Sequence, residues 1–292
     1  MRRRRALRRL VYFVSGVMLG SWAALTPGDS FSARPAMANV GAGDSQAQAR
    51  GGVDAAGTGL RSSDPAEALR HAMAARDPMV AAARFAAVAS DFEIISDHAS
   101  LLRAQKLMEA QLQAEAAAAC AAALELYDKS PLRADFYEIL GSARASLSDE
   151  DGAREAWTRG IRATRDSDRQ AALRLSVAES LERSHLINDA LTIYRKIWTR
   201  HASADQAEIA EARLDILERT PKATQRDASD WRKRGDQLFR KRMNAEALRA
   251  YDKALAGKLK KSEANRAQKQ RAHTLFRMRD YPDSVKAFSA LP

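Results

Sequence analysis

One four-point template recurs along this chain and limits what it can fold into. Ala153, Ala190, Ala247 and Ser284 are each followed four residues later by a ring: Trp157, Tyr194, Tyr251 and Phe288. Twelve residues before each lies another small residue, Gly141, Ala178, Gly235 or Ala272. Three of those place Leu at the next third position (Leu181, Leu238, Leu275), and the first places Arg144 there. Offsets of three and four bring side chains to one helix face, and an offset of twelve leaves room for a turn. The template therefore describes a helical hairpin. Its first small residue lets the second helix pack close, its second serves the crossing from the other side, and its ring fills the groove against the neighbouring hairpin. Successive rings are 37, 57 and 37 residues apart, so the middle gap holds an extra helix.

The rest of the chain from residue 64 agrees with this. Aromatics are only 6% and Ala is abundant, which argues against a β-rich protein. Asp64-Pro65 and Asp77-Pro78 are helix starts, an Asp cap followed by Pro at the first helical position. Apolar residues recur at helical spacing, as in Leu191, Tyr194 and Trp198. Helices are predicted near 65–75, 78–90, 98–110, 112–128, 133–147, 151–164, 168–184, 187–200, 204–219, 228–242, 245–256, 263–279 and 283–290. The small–leucine–small–ring spacing resembles the tetratricopeptide repeat, a helix–turn–helix unit of about 34 residues. Trp231, Gly235, Leu238, Ala247, Tyr251 and Ala254 carry the nearest likeness, and Arg234 stands where that family has an apolar residue, which suggests a solvated edge. The expected fold is all-α, a superhelical array (α-solenoid) of tetratricopeptide-like hairpins. Residues 65–219 form an N-terminal array, 220–229 a linker, and 230–292 the last hairpins.

The first 38 residues read as an address. Six arginines lie between Met1 and Leu10, Val11 to Leu25 carries no charge, and Ala36-Met37-Ala38 follows. A basic start, an apolar run and an A-x-A site make a secretory signal peptide, cleaved or retained as an anchor. The run is short for a bilayer core about 30 Å thick. The expected location is the periplasm, with membrane contact only through this segment. Residues 39–64 hold six of the fourteen glycines and read as a flexible tether. A single cysteine, Cys120 among alanines, excludes a disulfide framework and reads as a small core residue.

No enzyme class finds its residues here. The five histidines are scattered, no Gly-x-Ser-x-Gly occurs, and neither a metal site nor a cofactor is expected. The order of segments does resemble one exported family, the soluble lytic murein transglycosylases, in the non-catalytic superhelix that precedes their catalytic domain. Ala190 to Trp198, Ala207 to Leu217, Arg234 to Leu255 and Arg271 to Phe288 carry that likeness, with Ser96 to Pro131 resembling its earlier hairpins. The resemblance implies peptidoglycan binding, or the positioning of a catalytic domain. That family's Glu-Ser pair is matched only by Glu179-Ser180, whose downstream Gly-Leu-Met-Gln-like stretch is missing, so Glu179 reads as a solvated helical residue. The last helix is about two turns long, too short to cap an array, so the chain is expected to be truncated. The alternative is a free-standing periplasmic adaptor for envelope proteins.

Charge is uneven. Residues 221–292 hold 19 Lys or Arg against 8 Asp or Glu, a net +11 equal to that of the whole chain. Arg232, Lys233, Arg240, Lys241 and Arg242 read as one basic helix, with Lys260 and Lys261 in the loop after the next. They are the candidate docking residues for an anionic partner, peptidoglycan or an envelope protein. Nucleic acid is not expected outside the cytosol.

Overall fold

A computed structural model describes residues 64–291, so the leader 1–38 and residues 39–63 of the tether lie outside the described residues. The described residues form thirteen α-helices and no strand. They are α1 (Pro65–Met73), α2 (Pro78–Asp91), α3 (Ser96–Glu109), α4 (Gln113–Leu126), α5 (Arg133–Ser146), α6 (Glu150–Ala163) and α7 (Ser167–Arg183). Then come α8 (Ile187–Arg200), α9 (Gln206–Leu217), α10 (Ala228–Arg240), α11 (Asn244–Ala256), α12 (Lys261–Arg277) and α13 (Tyr281–Ser289). A short 3-10 turn, Glu93–Ile95, precedes α3. Each helix packs chiefly on its sequence neighbours, and first helices of successive hairpins also touch, as α3 does α5 and α10 does α12. This is an all-α repeat array. No helix among the described residues is long and apolar enough to cross a membrane.

Local chemistry starts the helices. Asp64 and Asp77 accept from the backbone N–H two residues on, with Pro at the first helical position of each. Asp149 caps α6 and Asp166 caps α7, while Asp227 and Asp230 form a reciprocal capping box on α10.

The turns inside the hairpins share a backbone device that no glycine announces. Gln111, Ser148, His185, Arg242 and Arg279 all have φ between 59° and 66°. In each case the next residue's N–H reaches five residues back: Leu112 to Leu107, Asp149 to Arg144, Leu186 to Leu181, Met243 to Leu238 and Asp280 to Leu275. That is the Schellman closure, which ties off free helix carbonyls at the cost of one left-handed residue. A side chain in that region is strained, so Ser148→Gly should stabilise the fold. A gain of about 0.5–1 kcal/mol is expected, the relief of strain less the greater chain entropy of glycine. Urea midpoints of the two proteins check this.

Five such turns mean five hairpins, one more than the ring template marks. Seven residues before each left-handed residue stands the first small residue of its unit, and Gln111 puts Ala104 there. Leu107, Ala116 and Cys120 then fall at the remaining three positions. Cys120 therefore occupies the ring position of the α3–α4 hairpin, 37 residues before Trp157. It is fully buried against Leu101, Ala104, Phe136 and Leu140, and rings from α5 supply the volume it lacks. Burial pushes its thiol up to about 12, so it is an unreactive core side chain.

Candidate functional site

The ring and the small residue of one hairpin lie face to face. A Cβ built on Gly141 would stand 2.7 Å from Trp157 Cε2, with other ring atoms nearer still, and one on Gly235 would stand 2.8 Å from Tyr251 Cε1. Trp157 donates from Nε1 to the Glu138 carbonyl at 3.3 Å, and its outer side meets Leu173 and Val177 of the next hairpin. The ring is thus wedged between its own hairpin and the following one, rather than lying against the neighbour alone. Ala178, Ala190 and Tyr194 repeat the arrangement, all fully buried in one cluster. Ala247 lies with Tyr251, and Ala153 with Trp157. Tyr194 donates to Glu182 at 2.9 Å and Tyr251 to Asp236 at 3.0 Å, and burial together with these carboxylates raises both phenols. In the last unit Ala272 is buried and Ser284 donates to its carbonyl at 3.2 Å, but Phe288 is only half-buried, edge-on to His273.

Around these wedges, ion pairs tie successive hairpins. Arg169 of α7 reaches Asp135 and Glu138 of α5 at 2.6 and 2.7 Å. Arg213 of α9 reaches Glu182 of α7 at 2.6 Å. Arg232 of α10 pairs with Glu263 of α12, and Arg266 of α12 with Asp236 of α10, each at 3.0 Å. Such pairs fix register and add modestly to stability.

The residues that could do chemistry are tied into this framework. Ser180 is buried, donates to Glu150 and accepts from Arg154 at 3.0 Å. Glu179 is not fully solvated: it is half-buried, and burial raises its carboxyl. His201 caps α8, with Nδ1 3.0 Å from Ser167 Oγ and Nε2 3.0 Å from Arg174 Nη1. Arg174 can only donate, so Nε2 is bare and the ring neutral. Burial first, then Arg174 and Arg200, depress its pKa, against a smaller pull from Asp168. A depressed imidazole gives stability that is complete above its unfolded value, about 6.5, and lost as pH falls below it. The melting temperature should therefore drop between neutral pH and pH near 5.5, and His201→Gln should flatten that drop. Melting curves across the range decide it.

The sequence suggests that Trp198 or Trp231 could line a concave binding face. The structure instead places them edge-on at 4.6 Å, at the joint where α9 interrupts the regular spacing. Trp198 is fully buried. Arg226 lies 5.1 Å from its ring and Arg234 4.8 Å, while Lys253 lies 4.1 Å from that of Trp231. Arg234 is no solvated edge: its side chain is 13% exposed, donates to the Trp198 carbonyl at 2.8 Å and pairs with Glu211 at 3.3 Å.

The basic residues are divided by the hairpin. Helix α10 ends at Arg240, so Lys241 is its C-cap and Arg242 the left-handed turn residue. Lys260 caps α12 and Lys261 opens it, beside the start of α10, where Ser229 and Arg232 hold Glu263. A helix of 13 residues separates the two groups by about 20 Å. Arg232 is consumed by Asp236 and Glu263, and Lys233 pairs with Asp230 at 3.1 Å. What remains together is the turn end: Arg240, Lys241 and Arg242, joined by Arg277, which donates to the Phe239 carbonyl at 2.9 Å, and by Arg279 in the next turn. Beside them Phe276 (56%), Met278 (42%) and Tyr281 (52%) are exposed, with Phe276 and Tyr281 edge-on at 5.6 Å. Guanidinium and aromatic side chains together are the composition of a protein-binding surface.

No family model matches the sequence, and no curated protein does. Several solved structures are similar. One is YrrB, a tetratricopeptide-repeat protein with an unusual peptide-binding site, at 16% identity over 70% of this chain and 92% of that one, with a TM-score of 0.38. Another is the TPR2AB domain of yeast Sti1 in complex with pHSP90, at 16% identity over 77% and 87%, with a TM-score of 0.37. The APC/C hetero-tetramer Cut9-Hcn1 is similar at 12% identity over 76% of this chain and 38% of that one, with a TM-score of 0.38. The fold class itself rests on the interlocked hairpins described above.

Proposed function

We propose that this protein is an exported, non-catalytic helical-repeat adaptor that docks an acidic segment of an envelope protein on the basic and aromatic turn end of its last two hairpins. The observation that carries this reading is the grouping of Arg240, Lys241, Arg242, Arg277 and Arg279 beside exposed Phe276, Met278 and Tyr281. Positive charge steers an acidic partner, and the apolar side chains give it area to bury. That Ser180, His201 and Cys120 serve inter-helix packing supports a scaffold over a catalyst. Export rests on the basic and apolar start followed by Ala36-Met37-Ala38.

The test follows the full chain in an exporting cell. Its mature form should begin near Asn39, and crosslinking in the envelope should join it to a protein. Phe276→Ser with Arg277→Gln should abolish that crosslink, whereas Lys260→Gln with Lys261→Gln should leave it. Retention of the chain in the cytosol would defeat the export reading. The likeness in segment order to murein transglycosylases makes peptidoglycan the competing ligand. Salt-sensitive sedimentation with purified sacculi, and no protein crosslink, would favour it.

A further inference from the structure

Near the middle of the array, away from the surface above, three arginines line one open cleft. It has a volume of about 380 Å³ and is lined by Ser130, Arg133, Tyr137, Arg159, Arg162 and Ala163. Two segments build it. The turn after α4 and the first two turns of α5 give Ser130, Arg133 and Tyr137, and the last turn of the antiparallel α6 gives Arg159, Arg162 and Ala163. Gly160 lets the helices approach here, since a Cβ on it would press Leu173 and the Tyr137 Cβ at 3.1 Å.

No carboxylate lines the cleft. Arg162 has no hydrogen-bond or ion-pair partner among the described residues. Arg159 pairs only with Glu155 at 2.6 Å, one turn back and itself well exposed. Arg133 donates to the Asp128 carbonyl and, at 3.3 Å, to the Tyr137 hydroxyl, with its guanidinium 5.9 Å from that ring. It is thus held in place by neutral acceptors and keeps its full charge. Arg159 and Arg162 stand three apart on one helix, where like charges repel. The uncapped N-terminus of α5 adds the positive pole of its dipole at the same rim.

We infer that this cleft is a binding site for a phosphate monoester. A carboxylate offers one charge and two oxygens, which a single guanidinium fork can satisfy. A phosphate monoester carries close to two charges and three terminal oxygens, which suits three guanidinium groups with a hydroxyl at Tyr137. The Ser130 hydroxyl is already committed, donating to Asp97 at 2.7 Å and accepting from the Leu132 N–H at 3.1 Å. A soluble phosphorylated compound and a phosphatidate headgroup share this chemistry. The site stands apart from the protein-docking surface, so either can fail without the other.

The experiment uses the full chain and two probes. Inorganic phosphate is titrated calorimetrically against wild type, Arg159→Gln/Arg162→Gln and, as a control, Arg249→Gln on the outer face of α11. The same proteins are floated with phosphatidylcholine vesicles, with and without phosphatidic acid. Each lost guanidinium should weaken phosphate binding roughly tenfold, so the double variant should show almost none, and the control should match wild type. Phosphate binding without any preference for phosphatidic acid assigns the site to a soluble ligand. Added flotation on phosphatidic acid that the double variant loses assigns it to a lipid headgroup. The arginine substitutions lie on exposed positions, and an unchanged melting temperature without phosphate certifies folding. Equal phosphate binding by wild type and double variant, or none by either probe, overturns the proposal.

Discussion

Replacing Trp157 by Ala should cost about 3–5 kcal/mol, the range for truncating a buried aromatic. The ring is 4% exposed and is gripped on one side by Gly141 and on the other by Leu173 and Val177. Removing it leaves a void that helix backbones on both sides cannot close, because each is fixed by its own hairpin. The reciprocal change, Gly141→Ala, forces a methyl against the face of the ring and should cost about 1–3 kcal/mol by overpacking. The two effects are one contact seen from both sides, so they should not add. In the Trp157→Ala background the Gly141→Ala methyl enters the void and should be close to neutral. Urea denaturation of the four proteins gives the coupling directly. Additive losses would mean that ring and glycine do not meet.

The ring–glycine contact explains why so much of the fold was legible. A small residue sixteen positions before a ring is a tertiary contact written into local spacing, and it recurs because each hairpin solves the same packing problem. Helix ends were legible where side chains make them, as at Asp64-Pro65 and Asp77-Pro78. They were hidden where the backbone makes them: Gln111, Ser148, His185, Arg242 and Arg279 share a conformation but no chemistry. The α3–α4 unit was obscured because Cys120 is too small to read as a ring, its volume being supplied by Phe136 from the next hairpin. Closeness in sequence also misleads about surfaces. Lys241 and Lys260 are nearer in the chain than Arg133 and Arg162, yet an antiparallel hairpin separates the first pair and unites the second. Arg234 looks like an exposed departure from an apolar position until Glu211 and the Trp198 carbonyl are placed beside it.

That joint is where the second large effect is expected. In a repeat array, stability is a sum of unit terms and nearest-neighbour interfaces, so one weak interface can uncouple the two sides. Between α8 and α10 the regular stacking is interrupted by α9 and the segment 218–227, and the edge-on pair Trp198–Trp231 spans the gap. Glu218 accepts from Arg226 at 3.0 Å and from Arg195 at 3.4 Å, holding the segment against α8. Arg226 and Arg234 cover the Trp198 ring, and a desolvated cation over an indole adds up to about 2 kcal/mol. Trp198→Ala should therefore lose about 3–5 kcal/mol of packing and leave two guanidinium groups over a hole. The loss falls on the interface, so the melt should split. The hairpins α10–α11 and α12–α13 should unfold first, and their amides should exchange sooner than those of α5–α8. Trp198→Phe keeps a ring in the site and should keep a single transition at a lower temperature. A Trp198→Ala protein that melts in one step, with exchange quickened evenly along the chain, would place the weak interface elsewhere.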